Sequence, residues 1–187
     1  QSQLVDSRRS NGGRDALLLV QHPHSYTVGR LGNVDNLLIN EDEMRRIGAS
    51  LYHMDRGGDV TYHGPGQLVV YPVLDLVCCD RDVHLYLKRL QAVLLMVLRD
   101  LGVGAHLDGE RTGIWVGDSK IAAIGIKVSR GITTHGFALN VTPDLSYFEN
   151  IFPCGIQDKG VTSIAKELEE ETDMGFVMER VVNRFGE

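Results

Sequence analysis

Cys154 stands between Pro153 and Gly155 in a stretch with turn character, and it is the side chain best suited to nucleophilic chemistry. A thiol in a loop is accessible and its thiolate is a nucleophile, so the position is open to a functional role. A buried structural cysteine is the competing reading. Lys120 opens the otherwise apolar run Lys120-Ile121-Ala122-Ala123-Ile124-Gly125. An amine at the mouth of an apolar strand can be desolvated and so become able to exchange protons near neutral pH. A lysine at a hairpin corner facing water is the plainer alternative. The third feature is Arg56-Gly57-Gly58-Asp59-Val60-Thr61-Tyr62-His63-Gly64-Pro65-Gly66-Gln67, with four glycines around an arginine and a histidine. Glycine at that density lets backbone come close to a ligand, although two ordinary turns flanking Val60-Thr61-Tyr62 would also use it. The segment lacks the Gly-Lys-Ser/Thr ending of a phosphate loop and the strand-to-helix context of a dinucleotide fingerprint.

Histidines occur at 22, 24, 53, 63, 84, 106 and 135. His22-Pro23-His24 has no third ligand nearby, and neither Cys-x-x-Cys nor His-Glu-x-x-His is present, so no metal cofactor is expected. His63 and His135 read better as pocket-lining donors, with a satisfied core histidine as the alternative. His53, His84 and His106 have no assigned role. Cys78 and Cys79 follow a strand without a glycine cradle and read as buried structural thiols.

The elements that must position these groups alternate in type. Residues 16–20 form an apolar run read as a buried strand, ended by Gln21-His22-Pro23-His24. Asn40, Glu43 and Gly48 delimit a short capped helix. Residues 68–74 are a strand in which Pro72 predicts an edge or a bulge. Residues 82–101 are the longest periodic segment, with Leu87, Leu90, Leu94, Val97 and Leu101 on one stripe and Gly102 as a stop. Residues 114–126 predict a β-hairpin turning at Gly117-Asp118-Ser119, and residues 134–141 a further strand. A helical turn at 145–151 and two amphipathic helices at 162–170 and 175–185 complete the pattern of one mixed α/β domain spanning 1–187.

Composition narrows the class. A chain of 187 residues, 43% hydrophobic and 24% charged, can bury one sizeable core. No apolar run approaches the roughly 20 residues of a membrane span, and no secretory signal opens the chain, so a soluble protein without a membrane partner is expected. A net charge of −6 argues against nucleic acid as a partner. Three cysteines, two of them adjacent, make a poor disulfide framework and point to a reducing compartment.

Taken in order, the segment from Arg56 to Gln67, Lys120-Ile-Ala-Ala-Ile-Gly125, His135-Gly-Phe-Ala-Leu-Asn140 and Pro153-Cys-Gly155 followed by Val161-Thr-Ser163 closely resemble the lipoyl(octanoyl) transferase family. The resemblance covers about residues 17–168 and lacks the family's upstream strand and most of a helix, of which Leu4 is a remnant. It implies the α+β mixed sheet, flanked by helices, of the biotin and lipoate protein ligases. The implied activity moves octanoyl from octanoyl-acyl carrier protein to the lysine of lipoyl domains, those of 2-oxoacid dehydrogenase complexes and the glycine cleavage H protein. By the same resemblance Cys154 is the acyl-thioester nucleophile and Lys120 its partner. Substrate contacts come from Arg56, Gly57, Gly58, Asp59, Val60, Thr61, Tyr62 and His63, from Ala123, Ile124 and Gly125, and from Gly136, Phe137 and Ala138. The segment from Gln21 to Thr27 resembles another family stretch in which proline is common where His24 stands; His22 and Tyr26 are its pocket candidates.

The implied chemistry is self-consistent: a thioester accepts a thiolate and then gives up its acyl group to an amine without ATP or metal. Glycine-rich backbone offers oxyanion donors of the kind worth about 3 kcal/mol each. Ile124, Phe137 and Leu139 are candidates for an apolar acyl slot. A basic patch drawn from Lys88, Arg89, Lys127, Arg130 and Lys159 would meet an acidic carrier protein. The rivals are an ATP-dependent lipoate or biotin ligase, an amidotransferase between proteins, and a non-catalytic acyl-binding module. The compartment would be bacterial cytoplasm, plastid or mitochondrial matrix.

Overall fold

The computed structural model describes residues 1–11, 13–109, 111–152 and 160–186, without the side chains of Asn11 and Cys78. In chain order the elements are α1 (Ser2–Asn11), β1 (Ala16–Val20), β2 (Ser25–Val28), α2 (Glu41–Arg46), β3 (Ser50–His53), β4 (Val60–His63) and β5 (Gln67–Val73). They continue with α3 (Val83–Asp100), β6 (Ile114–Val116), β7 (Ser119–Ser129), β8 (Ile132–Asn140), β9 (Gly160–Val161), α4 (Ile164–Leu168) and α5 (Met174–Gly186). The larger sheet runs β1-β5-β8-β7-β6 with every pairing antiparallel, and β9 joins β7 in parallel. A smaller mixed sheet runs β3-β2-β4.

One face of the larger sheet is closed by α3 and α5. Leu68, Val70, Phe137 and Leu139 from the strands meet Leu90, Leu94, Val97, Val177 and Val181 from the helices in the main core. Asp100 accepts two guanidinium hydrogen bonds from Arg184, at 2.7 and 2.8 Å, and so fixes how the two helices cross. The stripe expected on α3 is rotated. Its fully covered positions are Tyr86, Leu90, Val93, Leu94, Val97 and Leu98, while Leu87 and Leu101 are only half-buried. The helix meets both the sheet and α5, which covers a wider arc than a single heptad line. Asp82 caps its start and Gly102, at φ +81°, ends it.

The expected short helix is α2, where Asn40 and Glu43 form a reciprocal capping box. Of the two expectations for Pro72, the edge is incorrect, because β5 lies between β1 and β8. The ladder to β8 stops at Val70–Phe137 and returns only as the isolated bridge Asp75–Ile132. Across the gap the buried Thr133 hydroxyl donates to the Pro72 carbonyl at 2.7 Å and accepts from the Leu74 amide at 2.9 Å. The Thr133 side chain thus satisfies the Pro72 carbonyl and the Leu74 amide where the ladder around proline is interrupted. No helix among the described residues is long and apolar enough to cross a membrane.

Candidate functional site

Strand alternation builds a cavity between the two sheets. Ala123 pairs with Ala138, Val69 also pairs with Ala138, and Gly125 pairs with Gly136, so one stripe of the larger sheet presents almost no side chain. Facing it, Ser25 pairs with His63 and Thr27 with Thr61 in the smaller sheet. The space between them is a cavity of about 840 Å³, within the usual range for small-molecule sites. Its wall includes Arg56, Gly57, Gly58, Asp59, Val60, Thr61, His63, Lys120, Ala123, Ile124, Gly125, Gly136, Phe137 and Ala138. Three motifs separated along the chain therefore meet around one hollow.

Tyr62 is the exception within its run, and its expected substrate contact is corrected. Alternation turns it to the opposite face of β4, where it is fully buried, accepts or donates at 2.8 Å with His24 Nδ1, and stacks on Tyr147. Tyr26 is likewise on that face and donates to the Tyr147 carbonyl at 2.9 Å, so it is no pocket residue; His22 is one. Leu139 faces the helices and is fully buried there, so it is removed from the acyl slot. Ile124 and Phe137 touch the cavity but pack their side chains into the main core, Phe137 stacking on Phe185. The slot is walled instead by small residues.

The glycines of the Arg56 segment serve close backbone crossings. The Gly57 amide donates to the Ile126 carbonyl at 3.1 Å, and a Cβ on Gly125 would stand 3.0 Å from the Gly57 oxygen. Arg56 is buried, with Nη2 donating to the Thr27 carbonyl at 2.8 Å and the Thr27 hydroxyl at 2.6 Å. Asp59 accepts from the Asn33 amide and the Asn36 side chain, which anchors the loop over 29–36. At the far end His135 adopts φ +59°, and its Nε2 meets Asp55 at 2.7 Å while Lys127 pairs with the same carboxylate. Those two hydrogen bonds hold the Asp55 carboxyl down at about 2. Lys127 thus has a carboxylate partner, Lys88 and Arg89 lie on α3, Arg130 lies in the β7–β8 turn, and Lys159 is outside the described residues.

Lys120 is the second residue of β7, opposite Trp115, with Nζ 4.9 Å from the centre of the indole ring, and its side chain is half-buried on the cavity wall. The neighbouring strand is β9, whose Val161 pairs with Lys120, while the Thr162 amide donates to the Lys120 carbonyl at 3.0 Å. Cys154 lies outside the described residues, which end at Phe152 and resume at Gly160. Among the described residues no cluster of three or more His, Cys, Asp or Glu side chains could hold a metal ion.

A buried chain of amides ends at His63. Asn140 Nδ2 donates to the Thr162 carbonyl at 2.9 Å, and Gln67 Nε2 donates to the Tyr62 carbonyl at 3.2 Å and to Asn140 Oδ1 at 2.9 Å. Gln67 Oε1 then meets His63 Nδ1 at 2.7 Å. Gln67 and Asn140 are cross-strand partners, and polar amides in register inside a buried sheet are the signal that could have found them. Burial holds the His63 imidazole down at about 4, against the pull of the Gln67 hydrogen bond. The unfolded chain therefore takes up a proton near pH 6.5 that the folded chain refuses, so stability is full above that pH and falls as pH drops toward 4. Between about pH 7 and about pH 5 the loss attributable to His63 is expected to reach about 2 kcal/mol. Urea midpoints of the wild type and His63→Gln at both pH values check this; the variant should lose less on acidification.

The chain matches the lipoyl protein ligase A/B catalytic domain over residues 1–186. It is 52% identical over 165 residues to an octanoyltransferase of Solibacter usitatus (strain Ellin6076), a match spanning 88% of this chain and 74% of that protein. Its fold is similar to that of a lipoate-protein ligase A bound with ATP, at TM-score 0.79 and 19% identity over 98% of this chain and 76% of that one. A biotin protein ligase from Aquifex aeolicus in complex with biotin and ATP shares it at TM-score 0.51 and 16% identity, over 86% and 68% of the two chains.

Proposed function

Because this chain belongs to the lipoyl protein ligase A/B catalytic-domain family, we propose that it is an octanoyltransferase working through a cysteine thioester. Octanoyl-acyl carrier protein is the donor, the lysine of a lipoyl domain is the acceptor, and the reaction begins endogenous lipoate synthesis. The name carried by the Solibacter relative supports the octanoyl group. The observation that carries the reading is Lys120 on the wall of a cavity floored by Ala123, Gly125, Gly136 and Ala138, beside the strand on which the described chain resumes after Cys154.

In the resting state Cys154 is a thiolate and Lys120 an ammonium, each favouring the charge of the other. The thiolate attacks the donor carbonyl, the donor C–S bond breaks, and its sulfur takes a proton from Lys120. Octanoyl is now on Cys154 and Lys120 is neutral. The acceptor amine then forms the C–N bond, the Cys154 C–S bond breaks with its electrons on sulfur, and the surplus amine proton goes to Lys120. The product is an amide and the resting ion pair is restored, so the cycle needs no ATP. The small-residue floor admits a thin alkyl chain, and each methylene buried there contributes about 0.8 kcal/mol. This activity belongs to a compartment that supplies acyl carrier protein: bacterial cytoplasm, plastid or mitochondrial matrix.

Purified protein mixed with octanoyl-acyl carrier protein and a lipoyl domain, with and without ATP, tests the reading. Octanoylated lipoyl domain should form at the same rate in both mixtures. Product formed only with ATP, or only from free octanoate, would replace it with a ligase.

A further inference from the structure

Two backbone carbonyls fix the proton on His63. The carbonyls of Tyr62 and Thr162 can only accept, so the Gln67 and Asn140 side-chain nitrogens must be the groups that face them. Gln67 therefore turns its oxygen to His63, and Nδ1 must carry the hydrogen that bridges the 2.7 Å between them. The neutral ring then has its lone pair on Nε2. That nitrogen makes no hydrogen bond among the described residues, and the ring lines the cavity.

We propose that His63 Nε2 is a preset hydrogen-bond acceptor for the N–H of the incoming acceptor amine, held in that tautomer by the Gln67–Asn140–Thr162 chain. The inference rests on the cysteine-thioester reading and assigns His63 to the second half of the transfer. Of the two hydrogens on the neutral amine, one remains on the product amide and is the one His63 holds; the other goes to Lys120. Holding it aims the nitrogen lone pair at the thioester carbonyl, which is a positioning effect. Burial keeps the ring neutral and weakly basic, so it accepts a hydrogen bond without taking the proton. Gln67 and Asn140 act only through His63 and are positioning residues.

Among the described residues, the charged and titratable groups that line the same cavity are His22, whose ring centroid is 5.9 Å from that of His63, Tyr71 on β5, His135 on β8, Lys120 on β7, Arg56 and Asp59 before β4, Tyr52 on β3, and Arg111. All are present in the variants compared, so ratios of variant to wild type at each pH cancel their contributions.

The test separates the two half-reactions in the full chain. Octanoyl-acyl carrier protein alone gives the rate of acyl-enzyme formation by mass, and the isolated acyl-enzyme mixed with a lipoyl domain gives the rate of amide formation. His63→Gln is expected to slow amide formation about a hundredfold, and at least about tenfold more than it slows acyl-enzyme formation. Gln67→Glu places a carboxylate on Nδ1–H, which raises the His63 pKa and favours a ring that can no longer accept. Its amide-forming rate relative to wild type should therefore fall as pH drops below about 7, a signature that loss of structure alone would not give. Equal slowing of both halves by His63→Gln, or a folded Gln67→Glu with a flat ratio, would overturn the assignment. Absence of any acyl-enzyme in the wild type would instead remove the thioester reading, and this assignment with it.

Discussion

Replacing Gly136 by alanine lowers the stability of this protein by about 3 kcal/mol, the upper range for forcing atoms into a packed interior. A Cβ at that position would lie 2.2 Å from the Val70 carbonyl oxygen and 2.6 Å from Pro72 Cδ. Both obstacles belong to β5 at the point where its ladder to β8 is already interrupted, and neither is a flexible side-chain end that can swing aside. Relief requires β5 and β8 to separate, and those strands carry Val69 and Ala138 of the cavity wall. Urea unfolding monitored through Trp115 measures the loss. A change below about 1 kcal/mol would mean that the two strands yield more easily than their packing indicates.

Lys120→Met is expected to lower octanoyl transfer about a thousandfold while leaving the fold intact. The substitution keeps the alkyl stem over Trp115 and removes only the ammonium, whose contact with the indole ring at 4.9 Å is worth about 1 kcal/mol or less. Two steps of the cycle lose their proton carrier together, and general acid–base contributions of this kind span about a hundredfold to ten-thousandfold. Lys120→Arg is the sharper comparison. Guanidinium keeps the positive charge but does not release a proton at working pH, so it preserves support for the thiolate and still blocks the donor's departure. Initial rates of lipoyl-domain octanoylation give both values; transfer within about threefold of wild type in either variant would remove Lys120 from the proton path.

Much of the larger sheet could be read from residue pattern, and the smaller sheet could not. Residues 16–20 are apolar enough to declare themselves as a strand, residues 134–141 announce the strand that runs over 132–140, and Asn40 with Glu43 declared α2 through capping chemistry. Ser25–Val28 is only four residues long and mixes hydroxyls with apolar groups, because one of its faces lines a cavity and the other is buried against Tyr62 and Met44. Ser50–His53 is a largely exposed edge without alternation. Ser25–Val28 alternates but over too few residues to stand out, Ser50–His53 has no period, and both exist because β2 pairs with β3 on one side and β4 on the other. The motif residues were visible as unusual local chemistry, but which of them share a wall was not. Once β4 is a strand, alternation separates Tyr62 from Thr61 and His63. Gln67 and Asn140 acquire their joint role only through register, over a separation of 73 residues.

The cavity also explains why alanine and glycine matter as much as the reactive groups. Ala123 and Ala138 keep the floor low, so larger side chains there would take space that an acyl chain needs, whereas Gly125 and Gly136 stay bare because a Cβ on either would meet Gly57 and Arg56 or Val70 and Pro72. Among its polar lining groups, Lys120 on β7 and His63 on β4 come from different sheets.

Intact-protein mass after incubation with octanoyl-acyl carrier protein in the absence of ATP tests the central claim most directly. The wild type should gain one octanoyl group that hydroxylamine removes, and Cys154→Ser should gain no hydroxylamine-labile group. An unmodified wild type that nevertheless octanoylates a lipoyl domain, or an identical labile adduct on Cys154→Ser, would contradict transfer through a thioester at Cys154.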